Sequence, residues 1–181
     1  PVTAACGKTR MGARRTLIGG GEDERLDEYL HETVRAAGVD IKKRQREKAT
    51  RTSTVLGGVD QPGVRRFTFM VRPAADRFLS STQIPRFAAG EGLHLCSIAL
   101  SAEPSRGAAL EAMRALKQAG GWISFDPNLR EDLRPDHQQP PSLLDTPFRQ
   151  ADLTQLSEPE LATPRHRRHL SPRLADFGTP T

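Results

Sequence analysis

The order of apolar and polar residues along the chain predicts two amphipathic helices. One covers residues 24–37 and ends before Gly38, a common helix stop signal. Its apolar stripe consists of Leu26, Leu30, Val34 and Ala37. The other covers residues 104–119 and ends before Gly120 and Gly121. Its apolar stripe includes Ala109, Leu110, Met113 and Leu116.

Four shorter runs have the patterns of β-strands. Residues 52–59 and 64–71 flank a turn signal at 60–63, Asp-Gln-Pro-Gly, and the second run alternates between two faces, which predicts a half-exposed antiparallel hairpin. Residues 92–100 and 122–126 are nearly continuous in apolar residues, as is typical of strands covered on both faces. With the helix between them, these last two runs predict a right-handed βαβ unit of a parallel sheet.

The remaining segments give weaker patterns. Residues 18–23 predict a glycine-rich loop before the first helix. Prolines interrupt any helix in residues 136–150, and a short strand is predicted at residues 152–156. Residues 164–181 have no apolar period and predict a disordered tail, so the folded domain is expected to cover residues 1–163.

The composition adds information on the core and on possible partners. Of 181 residues, 36% are hydrophobic and 5% aromatic, which suits a partly completed α/β layer better than a dense core. The net charge of +5 is local, in a basic connector at residues 41–48 and in the tail at residues 165–173. Neither cluster has an aromatic residue for base stacking, so solvated segments are favoured over nucleic-acid binding.

Several features indicate the cellular setting. No apolar run approaches the roughly 18 residues needed to span a membrane. The first residues lack the pattern of a secretion signal, and the absence of an initial Met predicts a processed or truncated start. Cys6 and Cys96 lie far apart and outside any C-x-x-C spacing, so a reduced, cytoplasmic protein is expected.

Several residues have patterns that match known sites only in part. Gly7-Lys8-Thr9 spells the end of a phosphate-binding P-loop, but Val2 stands where the loop needs its first glycine. His94, in a predicted buried strand, is interpreted as a hydrogen-bonded core residue, and His31, among charged residues of a helix, as solvent-facing. No metal site and no Ser/His/Asp or Cys/His arrangement stands out.

The most informative stretch, residues 124–130, covers the end of the predicted strand 122–126 and the residues after it. Asp126, Asn128 and Arg130 place a carboxylate, an amide and a guanidinium where the chain leaves the strand's carboxyl end. That edge of a parallel sheet is where α/β proteins bind ligands, and arginine suits bidentate contact with phosphate. The same residues also fit a plain turn with an Asx cap. Both interpretations stay open on the residues alone.

A family resemblance adds to this picture. Residues 51–79, 92–106 and 124–133 closely resemble, in order and spacing, the ribokinase-like (PfkB) carbohydrate kinases, in particular the branch of bacterial fructokinases and aminoimidazole riboside kinases. The resemblance implies a partial Rossmann-like α/β fold with a parallel sheet and a small β-hairpin lid at about residues 52–71. It also implies ATP-dependent phosphorylation of a sugar hydroxyl, with ATP and magnesium as cofactors.

The resemblance implies roles for individual residues. Phe69 is similar to the lid aromatic that contacts the sugar, and Arg130 to the arginine near the sugar and the transferring phosphate. Three residues match nucleotide- or phosphate-binding positions: Asp126, Asn128 and Gln155, the last of which is usually lysine in relatives. Glu160 keeps the acidic position of the N-x-x-E motif associated with magnesium and phosphate, and Ser157 replaces its Asn.

The sequence also departs from the family pattern. Relatives carry a D-T-x-G-A-G-D motif, whose last Asp is the catalytic base and whose glycines form an anion hole, and residues 1–181 contain no such motif. Their first strand, with a sugar-binding Asp, would align upstream of Pro1. We therefore expect a truncated kinase that is inactive alone. The alternative is a non-catalytic remnant, or an interaction protein that forms a homodimer through its lid hairpin. Neither a nucleic-acid nor a membrane partner is expected.

Overall fold

The protein is a mixed α/β chain with two parallel sheets and one antiparallel sheet among its described strands. A computed structural model describes residues 2–21, 25–46, 51–61, 64–70, 75–127, 144–157 and 160. The helices are α1 (Val2–Arg10), α2 (Arg25–Ala36), α3 (Ser105–Gln118) and α4 (Asp145–Gln150). The strands are β1 (Gly19–Gly21), β2 (Arg44–Arg46), β3 (Val55–Gln61), β4 (Val64–Phe69), β5 (Gly92–Cys96), β6 (Trp122–Asp126) and β7 (Leu153–Thr154).

The chain divides into two compact units. One comprises residues 1–86 and 99–112, and the other comprises residues 87–98 and 113–181. The two predicted amphipathic helices are confirmed within one residue at each end, as α2 and α3. The α/β fold class is likewise confirmed.

The first unit contains the hairpin and a short parallel pair. Strands β3 and β4 are antiparallel, with Val55 opposite Phe69 and an irregularity in register between Val59 and Gln61. Strand β1 pairs in parallel with β2, so that Gly19 is opposite Arg44. The predictions of a loop at residues 18–23 and of an unstructured basic connector were therefore wrong in part. Glycine and arginine have little intrinsic preference for strands, so the sequence did not indicate these two. They form because their backbones pair with each other.

The interpretation of His31 as solvent-facing was wrong. Its side chain is only 20% exposed, and its Nε2 lies 3.8 Å from Oδ2 of Asp27, one turn earlier on α2. Asp27 is itself almost fully buried. Both residues lie on the inner side of α2 because positions four apart share a helix face, although the letters around them are mostly charged.

The second unit is built on a three-stranded parallel sheet in the order β5-β6-β7. Leu93 is opposite Ile123 on the neighbouring strand, and Phe125 is opposite Thr154. The Phe125 ring meets the ring of Phe148 edge-on, with centroids 5.4 Å apart, and both residues are buried. The predicted βαβ unit is confirmed.

The predicted strand at residues 92–100 is shorter than expected. It ends at Cys96, and Ser97–Leu100 form a 3₁₀ turn. Cys96 is opposite Asp126, the last residue of β6, which Pro127 follows. Because proline has no N–H to donate, β6 offers no further ladder for the apolar residues after Cys96.

Helix α4 corrects the prediction that prolines interrupt any helix in residues 136–150. Pro147 lies in the first turn of α4 and is buried. Proline is tolerated there because the first N–H groups of a helix have no partner within it. The predicted strand at residues 152–156 is confirmed but shortened to Leu153–Thr154, while the predicted tail, residues 164–181, lies outside the described residues. Within the described ranges no helix is long and apolar enough to cross a membrane.

Candidate functional site

The candidate site lies at the carboxyl end of the sheet β5-β6-β7. The register places His94 beside Ser124 and Cys96 beside Asp126. Because successive residues of a strand point to opposite faces, these four share one face, and Leu95 and Phe125 belong to the other. A strand pair with an apolar pattern therefore has one polar face, which we call the polar strip (His94, Cys96, Ser124 and Asp126).

The polar strip is joined by short contacts. The Oγ of Ser124 lies 3.1 Å from Nδ1 of His94, whose Nε2 is 3.9 Å from Sγ of Cys96. The thiol in turn donates to Oδ2 of Asp126 across 3.7 Å. The predicted hydrogen bonding of His94 is confirmed, but the residue is half-buried and does not belong to the buried core.

The environment keeps the Cys96 thiol protonated. Burial raises the pKa of Cys96 above its ordinary value; the positive charge of the N-terminus lowers this pKa in part, and the adjacent Asp126 carboxylate raises it further. A protonated thiol can donate to a carboxylate, which itself only accepts. The thiol is thus suited to holding the carboxylate and poorly suited to acting as a nucleophile.

Gln155 lies at the same end of the sheet as Asp126. Its backbone N donates to the carbonyl oxygen of Phe125 across 3.0 Å, just beyond the last paired residue of β7. The Gln155 side chain is exposed. The structure therefore brings two of the predicted nucleotide-binding positions to one edge of the sheet.

Glu160 is held by Ser157. One carboxylate oxygen, Oε2, accepts from the backbone N of Ser157 across 2.8 Å and from its Oγ across 2.6 Å. A carboxylate is a hard oxygen ligand of the kind that magnesium prefers, and the metal role of Glu160 stays a prediction. Among the described residues, no group of three or more His, Cys, Asp or Glu side chains is arranged to hold a metal.

The other predicted site residues are placed only in part. Phe69 is the last residue of β4, opposite Val55, and the structure describes its backbone alone. Asn128 and Arg130 lie outside the described residues. Their proposed contacts with sugar and phosphate therefore stay predictions.

Sequence reasoning missed Cys96 and Ser124 as members of the candidate site. Both were taken as parts of apolar strands. The available signal was the two-residue period, which puts Cys96 on the face of His94 and puts Ser124 on that of Asp126. What the sequence lacked was the register that sets these two faces side by side.

Comparison with known proteins identifies the relatives of this chain. A sequence model with the description pfkB family carbohydrate kinase matches residues 2–173. A fructokinase of Klebsiella pneumoniae is 46% identical over 162 residues, which cover 90% of this chain and 53% of that protein. The chain thus spans about half the length of the curated relatives it matches.

Solved structures agree with the sequence comparison. Fructokinase from Vibrio cholerae O395, in a form with fructose, ADP and calcium ion bound, superposes with a TM-score of 0.83 at 37% identity, covering 98% of this chain and 58% of that one. Aminoimidazole riboside kinase from Salmonella enterica, complexed with aminoimidazole riboside and an ATP analog, superposes with a TM-score of 0.83 at 25% identity. The superposition covers 98% of this chain and 58% of that one. The predicted resemblance to ribokinase-like sugar kinases is confirmed.

Proposed function

The chain belongs to the pfkB family of carbohydrate kinases, and we propose that its residues bind ATP and a sugar in the manner of an ATP-dependent sugar kinase. The acceptor is fructose or aminoimidazole riboside, the two sugars named with the solved relatives. The observation that carries the proposal is the position of Asp126 and Gln155 together at the carboxyl end of the parallel sheet. Ligands of open α/β sheets bind at that edge.

Each proposed residue has a task in phosphoryl transfer, which depends on positioning and on offsetting charge at the moving phosphate. In this proposal the nucleotide phosphates are bound by Asp126, Asn128 and Gln155. Arg130 offsets charge near the transferring phosphate, and Phe69 contacts the sugar. Magnesium, when bound, supplies further positive charge beside the phosphates, and Glu160 would hold it.

We propose further that residues 1–181 do not complete the transfer alone. The reaction needs a base to accept the proton of the sugar hydroxyl, and an anion hole to stabilise the charge that develops. The D-T-x-G-A-G-D motif that supplies both in the family is not in this sequence. Binding requires fewer groups than turnover, so nucleotide affinity is expected without product.

Calorimetric titration with ADP or ATP in the presence of magnesium tests the binding. We expect weak binding that falls in the Arg130→Ala and Glu160→Gln variants and stays unchanged in Arg149→Ala, a control at an exposed residue of α4. A parallel incubation with ATP and either sugar should give no sugar phosphate above background. Absence of nucleotide binding by the folded chain contradicts the proposed site. Turnover that disappears in Arg130→Ala contradicts the proposed inactivity.

A second candidate, pairing of two copies through the hairpin, has its own support. Leu56 on β3 is 56% exposed, and Met70, next to β4, is 58% exposed. Apolar side chains beside the backbone of a two-stranded sheet favour association edge to edge or face to face. We expect light scattering to detect a dimer that Leu56→Asp dissociates, while Met11→Asp, which replaces an exposed apolar residue beyond α1, leaves it intact. A monomeric wild-type chain contradicts this candidate.

A further inference from the structure

The polar strip has a direction that follows from the chemistry of its members. The Asp126 carboxylate only accepts hydrogen bonds, so the thiol of Cys96 donates to it. With its proton directed to Asp126, the sulfur can accept from Nε2–H of His94. Neutral histidine then presents Nδ1 as an acceptor for the Ser124 hydroxyl. One assignment of protons therefore satisfies all three contacts. In this assignment Ser124 donates to His94, His94 donates to Cys96, and Cys96 donates to Asp126.

Burial alternates along the strip, in which His94 is half-buried, and the strip ends at the edge of the sheet. Ser124 and Cys96 are buried, whereas Asp126 is half-buried and is the last residue of β6. Sulfur hydrogen bonds are individually weak, but they are less exposed to competition from water when the thiol is buried. The raised pKa of Cys96 agrees with its role as donor.

We infer that Cys96 is a positioning residue, which holds the Asp126 carboxylate in one orientation at the ligand-binding edge of the sheet. This inference rests on the proposed function, because it assigns Asp126 to nucleotide binding. The inference gives strand β5 a part in nucleotide binding, although no residue of β5 contacts the ligand in the proposed function. Loss of the thiol contact removes one of the interactions that restrict the Asp126 side chain, so a bound ligand must then fix that side chain at a greater cost in entropy.

A titration of the thiol tests the contact without any ligand. Cys6→Ser gives a background in which Cys96 is the only thiol, because the sequence has two cysteines. In that background the ultraviolet absorbance of the thiolate reports ionisation of Cys96. We expect Asp126→Asn to shift ionisation to lower pH, because it removes the negative charge beside the sulfur. An unchanged titration curve overturns the inference.

A double-mutant cycle tests the positioning role. We expect Cys96→Ala to weaken ADP binding by about 2- to 10-fold, the range that one hydrogen bond supplies. Cys96→Ser keeps a hydrogen-bond donor, so its dissociation constant for ADP should lie within about 2-fold of that of the unsubstituted chain. In the Asp126→Asn background, Cys96→Ala should have no further effect, since the group that it positions has changed. A purely structural role would change the free energy of unfolding and leave the dissociation constant of the folded fraction unaltered.

The two readouts separate the possible failures. If nucleotide binds and Cys96→Ala has the same effect with and without Asp126→Asn, the positioning role is overturned and the proposed function stands. If the folded chain binds no nucleotide, the proposed function fails and the positioning role fails with it. A shifted thiolate titration would then still establish the contact between Cys96 and Asp126.

Discussion

The backbone carbonyl oxygen of Glu91 lies 2.6 Å from the position that a Cβ atom would take on Gly121. The same oxygen accepts the hydrogen bond of the Trp122 backbone N across 2.9 Å, at the start of β6. The carbonyl therefore cannot move away without loosening the first residue of the central strand. Gly121 is required at this point because of a close backbone approach.

We predict that Gly121→Ala lowers the free energy of unfolding by about 1–3 kcal/mol, the usual cost of inserting a methyl group into a filled space. Urea denaturation followed by circular dichroism measures this change. The matched control is Gly7→Ala on α1, where a Cβ meets no atom within 4 Å. There the same substitution should stabilise the chain by about 0.5–1 kcal/mol, because alanine favours helix. A Gly121→Ala variant as stable as wild type would disprove the close approach.

Asp152 links helix α3 to strand β6. Its carboxylate accepts from Nζ of Lys117 across 2.6 Å and from the backbone N of Ile123 across 2.7 Å. The side chains of Lys117 and Asp152 are 34% and 44% exposed, so solvent screens their ion pair, whereas Ile123 is fully buried. The bond to the Ile123 amide therefore contributes most of the stabilisation.

We predict that Asp152→Ala costs about 1–3 kcal/mol, since it leaves the Ile123 amide without its side-chain acceptor. Lys117→Ala removes only the screened ion pair and should cost at most about 1 kcal/mol. Denaturation at low and at high salt separates the two, because only the Lys117 contribution should fall with ionic strength. Equal costs for both variants would contradict this assignment.

The ring contact between Phe125 and Phe148 anchors α4 on the sheet. We predict that Phe148→Ala lowers the free energy of unfolding by about 3–5 kcal/mol, because it opens a cavity against Phe125. Leu153→Ala is the control: this β7 side chain is 58% exposed, and its loss should change stability little. A small effect of Phe148→Ala would mean that α4 is not part of the core.

The raised pKa of Cys96 predicts a loss of stability in alkali. The folded chain keeps the thiol proton at pH values where the unfolded chain releases it. The stabilisation is complete below the ordinary thiol pKa of about 8.5 and is lost as pH rises through the higher folded value. Thermal unfolding between neutral and alkaline pH should show this decline, and Cys96→Ala should flatten it. An unchanged pH profile in the variant would contradict the pKa shift.

The sequence predicted the elements whose own apolar residues form a recognisable pattern. The stripe of Leu30 and Val34 located α2, and the apolar runs located the cores of β5 and β6. It could not predict the strand at Gly19–Gly21, because that strand exists only through its pairing with Arg44–Arg46. It also overestimated β5, because an apolar run alone does not distinguish a strand from a helical turn.

The candidate site, like the fold, could be predicted only where one segment of sequence was sufficient to locate a residue. Asp126 is the last residue of a recognisable strand and belongs to a family motif, so its place at the sheet edge was expected and is observed. Cys96 and Ser124 were not expected, because their meeting depends on the register between two strands. Phe69 cannot be compared in this way, since the structure describes only its backbone.

The two faces of the β5–β6 pair impose different evolutionary constraints on neighbouring positions. Leu95 and Phe125 belong to a face where volume and apolarity matter, so homologous chains should exchange them for other large aliphatic or aromatic residues. Cys96 and Asp126 belong to a face where donor and acceptor must match, so changes there should occur in pairs. In a comprehensive substitution scan, tolerance along each strand should therefore alternate residue by residue between conserved size and conserved polarity.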